Sequence, residues 1–186
     1  MEILFWGHAN EHHNSQKYVP FLASALSKDG INISYTEDLT DLNQRNLELY
    51  DGLIIYANNN SIAKKEEKAL LNFVKSGHAF IPLHSASFCF RNSPDFVEMV
   101  AGQFKSHKTD TFTSKIVNKI HPIMKNVQEF STWDETYVQD QLSDDITVLE
   151  ERVEGEHHEP WTWVKNYGKG RVFTLLLAMM SARGNI

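Results

Sequence analysis

Nine of the 186 residues are histidine, and three of them, His8, His12 and His13, fall within six positions. Imidazole binds zinc, nickel, copper or iron and titrates near neutrality, so this segment has the chemistry to hold a metal or move a proton. A second concentration is Leu83-His84-Ser85-Ala86, which follows the apolar run Phe80-Ile81-Pro82. A strand running into a turn of small residues is the geometry of a nucleophile elbow, but no glycine lies two positions either side of Ser85, so G-x-S-x-G is absent. His84 as ligand or base is therefore favoured over Ser85 as nucleophile.

Three more segments carry ligand-type or acid–base side chains. His107 follows Gly102-Gln103-Phe104 and is preferred to His121, whose neighbour Pro122 marks a turn. Trp133-Asp134-Glu135-Thr136-Tyr137 offers two carboxylates. Successive strand residues point to opposite faces, so Asp134 and Glu135 can share one site only if the strand ends there. Glu156-His157-His158-Glu159-Pro160-Trp161 is again rich in ligand types, and the Trp161, Trp163 and Tyr167 rings beyond it suit either sugar stacking or core packing. The single cysteine, Cys89, excludes a disulfide within the chain and reads as a buried structural thiol. Gly168-Lys169-Gly170-Arg171 is too short for a phosphate loop.

These side chains need a scaffold. The apolar run Ile3-Leu4-Phe5-Trp6 predicts a buried parallel strand. Ser15 is the expected cap of a helix presenting Val19, Leu22, Ala25 and Leu26 and closed by Gly30, with Pro20 tolerable only in its first turn. Strands are predicted at 31–35, 53–56 and 78–83, with Pro82 at a strand end. Helices are predicted at 63–76, capped by Ser61 with a solvated face at 64–68, and from Ser93-Pro94 to Gly102. The second half is richer in strands, at 111–117, 132–138, 146–149, 161–164 and 171–177, the last two joined as a hairpin. The β-α-β-β-α-β-α order of the first half implies a parallel sheet with helices on both faces, and such sheets bind ligands beyond the carboxyl ends of their strands. His8, His12, His13, Asn58, Asn59, Asn60, His84 and Ser85 should then share one rim.

Composition narrows the field. Hydrophobic residues make up 41% and charged residues 23%, as in ordinary globular domains. The formal charge of −6, from 18 basic against 24 acidic residues, argues against a nucleic-acid partner. No apolar run reaches the length of a membrane span and no basic leader precedes residue 3, so a cytoplasmic protein without a membrane partner is expected.

Taken in order along the chain, these segments resemble the trehalose-utilisation (ThuA-like) proteins of the class I glutamine amidotransferase-like superfamily. The resemblance rests on the histidine-bearing loop after the first strand, Ala69-Leu70-Leu71-Asn72-Phe73-Val74-Lys75-Ser76-Gly77, Leu83-His84-Ser85-Ala86, Gly102-Gln103-Phe104 with His107, His121-Pro122, Asp134-Glu135-Thr136-Tyr137, and Pro160-Trp161-Thr162-Trp163 leading to Tyr167-Gly168-Lys169-Gly170-Arg171-Val172-Phe173. It implies one α/β domain over residues 1–186: a flavodoxin-like three-layer sandwich with a mainly parallel sheet and a β-rich second half. It implies that the amidotransferase cysteine is missing, its elbow position reading Leu83-His84-Ser85, so glutamine hydrolysis is not expected. The family's late histidine and aspartate have no counterpart in residues 174–186, and the final helix is expected to be lacking, which would expose apolar sheet and favour a homo-oligomer.

The resemblance links the chain to disaccharides and their 3-keto derivatives. A divalent metal, zinc foremost, would be held by His13, His84 and His107, and no nucleotide cofactor is implied. His84, Glu135 and Asp134 are the catalytic candidates, with Glu135 also a possible ligand. His8, Asn58, Ser85 and Trp163 are the residues expected to bind a small-molecule sugar. The reaction class is isomerisation, epimerisation or hydrolysis of a 3-keto-glycoside. The alternative is a non-catalytic module binding a sugar or a partner.

Overall fold

The computed structural model describes residues 1–9 and 13–178. His12 and residues 179–186, which carry the expectation about the final helix, lie outside them. The strands are β1 (Glu2–Gly7), β2 (Asn32–Thr36), β3 (Gly52–Tyr56), β4 (Ala79–Pro82), β5 (Gln103–Ser106), β6 (Thr109–Ile116), β7 (Phe130–Glu135), β8 (Val138–Asp140), β9 (Thr147–Glu154), β10 (His157–Tyr167) and β11 (Gly170–Leu175). The α-helices are α1 (Ser15–Ser27), α2 (Gln44–Leu47), α3 (Lys64–Lys75) and α4 (Pro94–Val100).

Among the described residues one nine-stranded sheet runs in the order β2-β1-β3-β4-β11-β10-β9-β6-β7, and β5 pairs with β8 apart from it. From β2 to β11 every pairing is parallel. From β11 to β7 every pairing is antiparallel. The sheet is therefore mixed, its parallel half running from β2 to β11 and its antiparallel half from β11 to β7.

The apolar run of β1 explains why the parallel half is buried on both faces. Ile3 and Phe5 pack with Val19 of α1, Ile54 and Tyr56. Leu4 and Trp6 pack on the other face with Leu53, Ile55, Phe80 and the α3 residues Leu70, Phe73 and Val74. Fully burying one such side chain contributes about 1.5–3 kcal/mol. A third cluster, around Phe112, Trp161, Trp163, Tyr137 and Leu176, holds the antiparallel half.

Several local expectations are corrected. Asn14, not Ser15, caps α1, its Oδ1 accepting from the Lys17 N–H at 3.1 Å. Ser15 is buried instead and bonds the Tyr35 hydroxyl at 3.0 Å. This close approach is possible because Gly7 lies beneath both, where a Cβ would collide with Ser15 and Tyr35. Pro20 lies inside α1, past its first turn. It is exposed, and with no N–H it removes one hydrogen bond from the helix interior; Ala25, expected on the buried face, is exposed too. Ala63, with no side-chain cap, precedes α3 in place of Ser61. Within the face read as solvated, Glu67 is buried and paired with Lys64 at 2.6 Å. Ser93 caps α4 with Pro94 in the first turn, but the left-handed residue that ends it is Ala101 (φ 69°), not Gly102. Pro82 ends β4, where its missing N–H costs the ladder least.

Candidate functional site

The carboxyl ends of β1, β3 and β4 meet the β5–β6 and β7–β8 connections around a cavity of about 350 Å³. His13, Asn58, Ser85, Phe88, Phe104, His107, Glu135 and Tyr137 line it. One wall is aromatic: the Phe104 and Tyr137 ring centres lie 4.5 Å apart, and Phe88 and Phe104 meet edge-on at 5.8 Å. His13, Asn58, Ser85, His107 and Glu135 make the rest of the lining polar, and no lysine or arginine among the described residues lines the cavity.

At its floor His13, His84 and Glu135 each bring one ligand atom to within 4.8 Å of the others. His84 stands at the elbow after β4 with a left-handed backbone (φ 44°), a conformation that L-residues hold only when their surroundings enforce it. The elbow position thus carries an imidazole. Cys89 is wholly buried, donates to the Ala57 carbonyl at 3.1 Å, and has its thiol pushed up to about 12 by that burial.

The His84 ring is oriented from both ends. Its Nδ1 lies 2.8 Å from the Leu176 carbonyl oxygen, which can only accept, so Nδ1 carries a proton. In the neutral ring Nε2 is then a bare lone pair, and it faces Glu135 Oε2 at 3.0 Å. Two acceptors do not hold that distance unaided; a proton or a cation belongs between them. With positive charge held at that contact, His84 is the main reason the Glu135 carboxyl is held down to about 2, against the opposing effect of burial. Burial, reinforced by the Glu135 charge, pushes the Tyr137 hydroxyl up, so it remains a neutral donor at neutral pH. Burial likewise raises Tyr56. Tyr56 packs on the rings of His13 and His84 at 5.9 and 6.2 Å.

These atoms fit a metal. Nitrogen and oxygen ligands on one zinc lie about 2.1 Å from the ion and roughly 3–3.5 Å from each other, close to the His84–Glu135 separation. Two imidazoles and a carboxylate are also a donor set that zinc accepts. His107, expected as the third nitrogen ligand, stands farther out: its Nδ1 is 4.0 Å from Glu135 Oε2 and its side chain is 41% exposed. Glu135 takes the third place in the cluster instead.

The other named residues separate. Asn58 and Ser85 line the cavity, and the Ser85 Oγ is buried without a hydrogen-bond partner. His8 is not among the lining residues, and its buried Nδ1 has no partner. Trp163 is a correction: it is fully buried in the third core cluster, its indole donating to the Val100 carbonyl at 3.0 Å, and does not reach the cavity. Asp134 is another. It is 2% exposed and accepts the N–H groups of Glu135 and Ala178, both at 2.8 Å, so it does not touch a ligand in the cavity. β7 ends at Glu135, and the two adjacent carboxylates do point to different places. His121 caps a short turn after β6. His157 pairs with Glu159 along the same strand, β10, and His158 pairs with Glu151 across the β9–β10 ladder. Tyr137 and Phe88 are cavity residues that the sequence reading did not single out; only the motif containing Tyr137 hinted at one of them.

A mixed α/β sheet with an imidazole–carboxylate cluster at its strand ends defines a small-molecule site of the kind α/β proteins place there. The chain belongs to the family described as Trehalose utilisation (ThuA), whose sequence profile matches residues 2–177. Membership associates it with trehalose utilisation and carbohydrate metabolism. Among solved structures it is similar to a ThuA-like protein of Parabacteroides merdae (18% identity, 98% of this chain and 81% of that one, TM-score 0.82). It is also similar to one of Bacteroides uniformis (20%, 96% and 82%, 0.80). A third likeness is to a protein of Salmonella typhimurium titled a cytoplasmic protein (14%, 98% and 90%, 0.73). These show the shared fold. Comparison with curated proteins found no match. No helix among the described residues is long and apolar enough to cross a membrane.

Proposed function

We propose that this protein binds a disaccharide or keto-sugar in the strand-end cavity and carries out metal-assisted proton transfer on it, with isomerisation, epimerisation or hydrolysis of a 3-keto-glycoside as the reaction class. The observation that carries this reading is the commitment of His84 Nδ1 to the Leu176 carbonyl, which leaves Nε2 aimed at Glu135 beside His13. His13, His84 and Glu135 would hold a divalent cation, zinc foremost. Bound there, the ion would polarise a sugar carbonyl or hydroxyl and ease loss of a neighbouring proton.

The chain's own groups supply the rest. Phe88, Phe104 and Tyr137 give a sugar ring an aromatic, apolar wall, while Asn58 and Ser85 offer hydrogen bonds to hydroxyls. Among the described residues the lining carries no lysine or arginine, which favours a neutral sugar over a phosphorylated one. His107, half exposed at the cavity rim and 4.0 Å from Glu135, is placed to take or return a proton. The flavodoxin-like three-layer arrangement is supported by the apolar clusters on both faces of the parallel half. A cytoplasmic location is supported by the likeness to the Salmonella cytoplasmic protein. A homo-oligomer is supported by Trp133, 61% exposed on the edge strand β7.

Elemental analysis of untagged parent and His84→Ala protein, followed by a screen of 3-keto-glycosides, tests the proposal. Near-stoichiometric zinc that disappears in the folded variant, with turnover of a keto-sugar by the parent, is expected. A folded parent without metal or turnover that still binds sugars would replace this reading with a non-catalytic sugar-binding module.

A further inference from the structure

We infer that Arg91 is a positioning residue that fixes the aromatic wall of the cavity in the arrangement a sugar ring meets. This rests on the reading of the cavity as a sugar site. The wall is assembled from separate pieces of chain: Phe88 ends the short turn after β4, Phe104 lies on β5, and Tyr137 lies between β7 and β8. Among the described residues β5 pairs only with β8, outside the nine-stranded sheet, and their ladder is irregular between Phe104 and Ser106. Strand pairing alone therefore does not hold Phe104 against Phe88.

Arg91 joins the two. Its guanidinium lies over the Phe88 ring, 4.5 Å from the ring centre, and its Nη2 donates to the Phe104 carbonyl. The residue is exposed and does not line the cavity, so it braces the wall from outside. Its own backbone is held on both sides. Phe90, left-handed at φ 53°, is fully buried, with the Trp6 and Phe96 rings centred 5.6 and 4.9 Å away. Its N–H donates to the Asn59 carbonyl at 2.8 Å. The Asn92 side chain clasps Ile62, accepting its N–H at 3.0 Å and donating to its carbonyl at 2.9 Å. A core aromatic on one side and a double backbone clasp on the other thus present Arg91 in one place. A guanidinium suits that place because its plane stacks on a ring while its edge donates to a carbonyl. A lysine ammonium would supply the charge and the donor without the flat face.

The test compares the parent with Arg91→Ala and Arg91→Lys. Hydrogen exchange without ligand follows β5 and β8, calorimetry with trehalose and its 3-keto derivative reads the Kd, and elemental analysis reads zinc. In Arg91→Ala, exchange in β5 should quicken roughly tenfold. The sugar Kd should rise roughly 3–10-fold, with the zinc content and melting temperature of the parent kept. Arg91→Lys should fall between the two. Parent-like exchange in β5, or a Kd within about twofold of the parent, would overturn the inference. Faster exchange spread over the whole chain would make Arg91 a general stabiliser and would overturn it too. A parent that binds neither sugar would overturn the sugar reading of the cavity, and the β5 exchange would still decide whether Arg91 braces the wall.

Discussion

Glu135 Oε2 meets His84 Nε2 at 3.0 Å, joining the end of an edge strand to the elbow of a central one. The contact gives Glu135 a pH signature. Its carboxyl falls from an ordinary 4.5 to about 2, the His84 hydrogen bond being the largest cause. A carboxyl depressed on folding contributes stability that is whole above its unfolded value and is lost as pH falls through the folded one. The parent should therefore lose more stability than Glu135→Gln between pH 4.5 and about 2. Urea unfolding at several pH values checks this, and parallel losses would refute it.

Metal retention should divide the histidines. His13→Ala, His84→Ala and Glu135→Gln each remove a member of the tight cluster and should lower bound zinc well below one per chain. His107→Ala, altering a group 4.0 Å from Glu135 and 41% exposed, should leave it close to the parent value. Elemental analysis distinguishes the two groups, and an equal loss in His107→Ala would restore His107 to the ligand set.

Ser85 should show opposite effects on stability and binding. Its Oγ is buried without a hydrogen-bond partner, a state that costs about 1–3 kcal/mol. Ser85→Ala is expected to melt at the same temperature as the parent or higher, while its affinity for a sugar falls. A drop in melting temperature would mean that the hydroxyl serves the fold.

Cys89 should be silent in the native state. It is fully buried, and its thiol is pushed up to about 12. Iodoacetamide at pH 8 should label denatured but not native protein, as read by mass spectrometry. Rapid native labelling would reopen a thiol nucleophile.

Gly7→Ala should disturb the site at a distance. An added Cβ collides with Ser15 and Tyr35, forcing α1 away from β1 and moving His13 with it. A destabilisation of about 1–3 kcal/mol with weaker zinc binding is expected from denaturant titration and chelator competition.

The parallel half could be read from sequence because its signals are local: apolar runs for β1 and β3, Ser93-Pro94 for α4. β9 and β10 were longer than expected because His157, His158 and Glu159 look like a ligand loop until their cross-strand partners are known. Most of the cavity came from residues beyond strand ends, where topology alone indicates convergence. The Leu176 carbonyl that orients His84 could not be found this way, since every residue has one and only the tertiary path selects it. Trp163 misled because an aromatic side chain suits a sugar face and a core equally well.

β11 lies between β4 and β10, so a strand late in the chain occupies the middle of the sheet. Until it arrives, β4 has an open edge and the two halves have no common ladder. The His84 contact to Leu176 spans 92 residues and arrives with the same strand. Such a non-local closure is slow relative to hairpin or helix formation. The chain would thus traverse a species with a formed parallel half and an unfinished imidazole, unable to take up metal before the centre of the sheet is sealed. Pulsed hydrogen exchange during refolding should find protection in β1 and β3 before β11, with zinc uptake following β11.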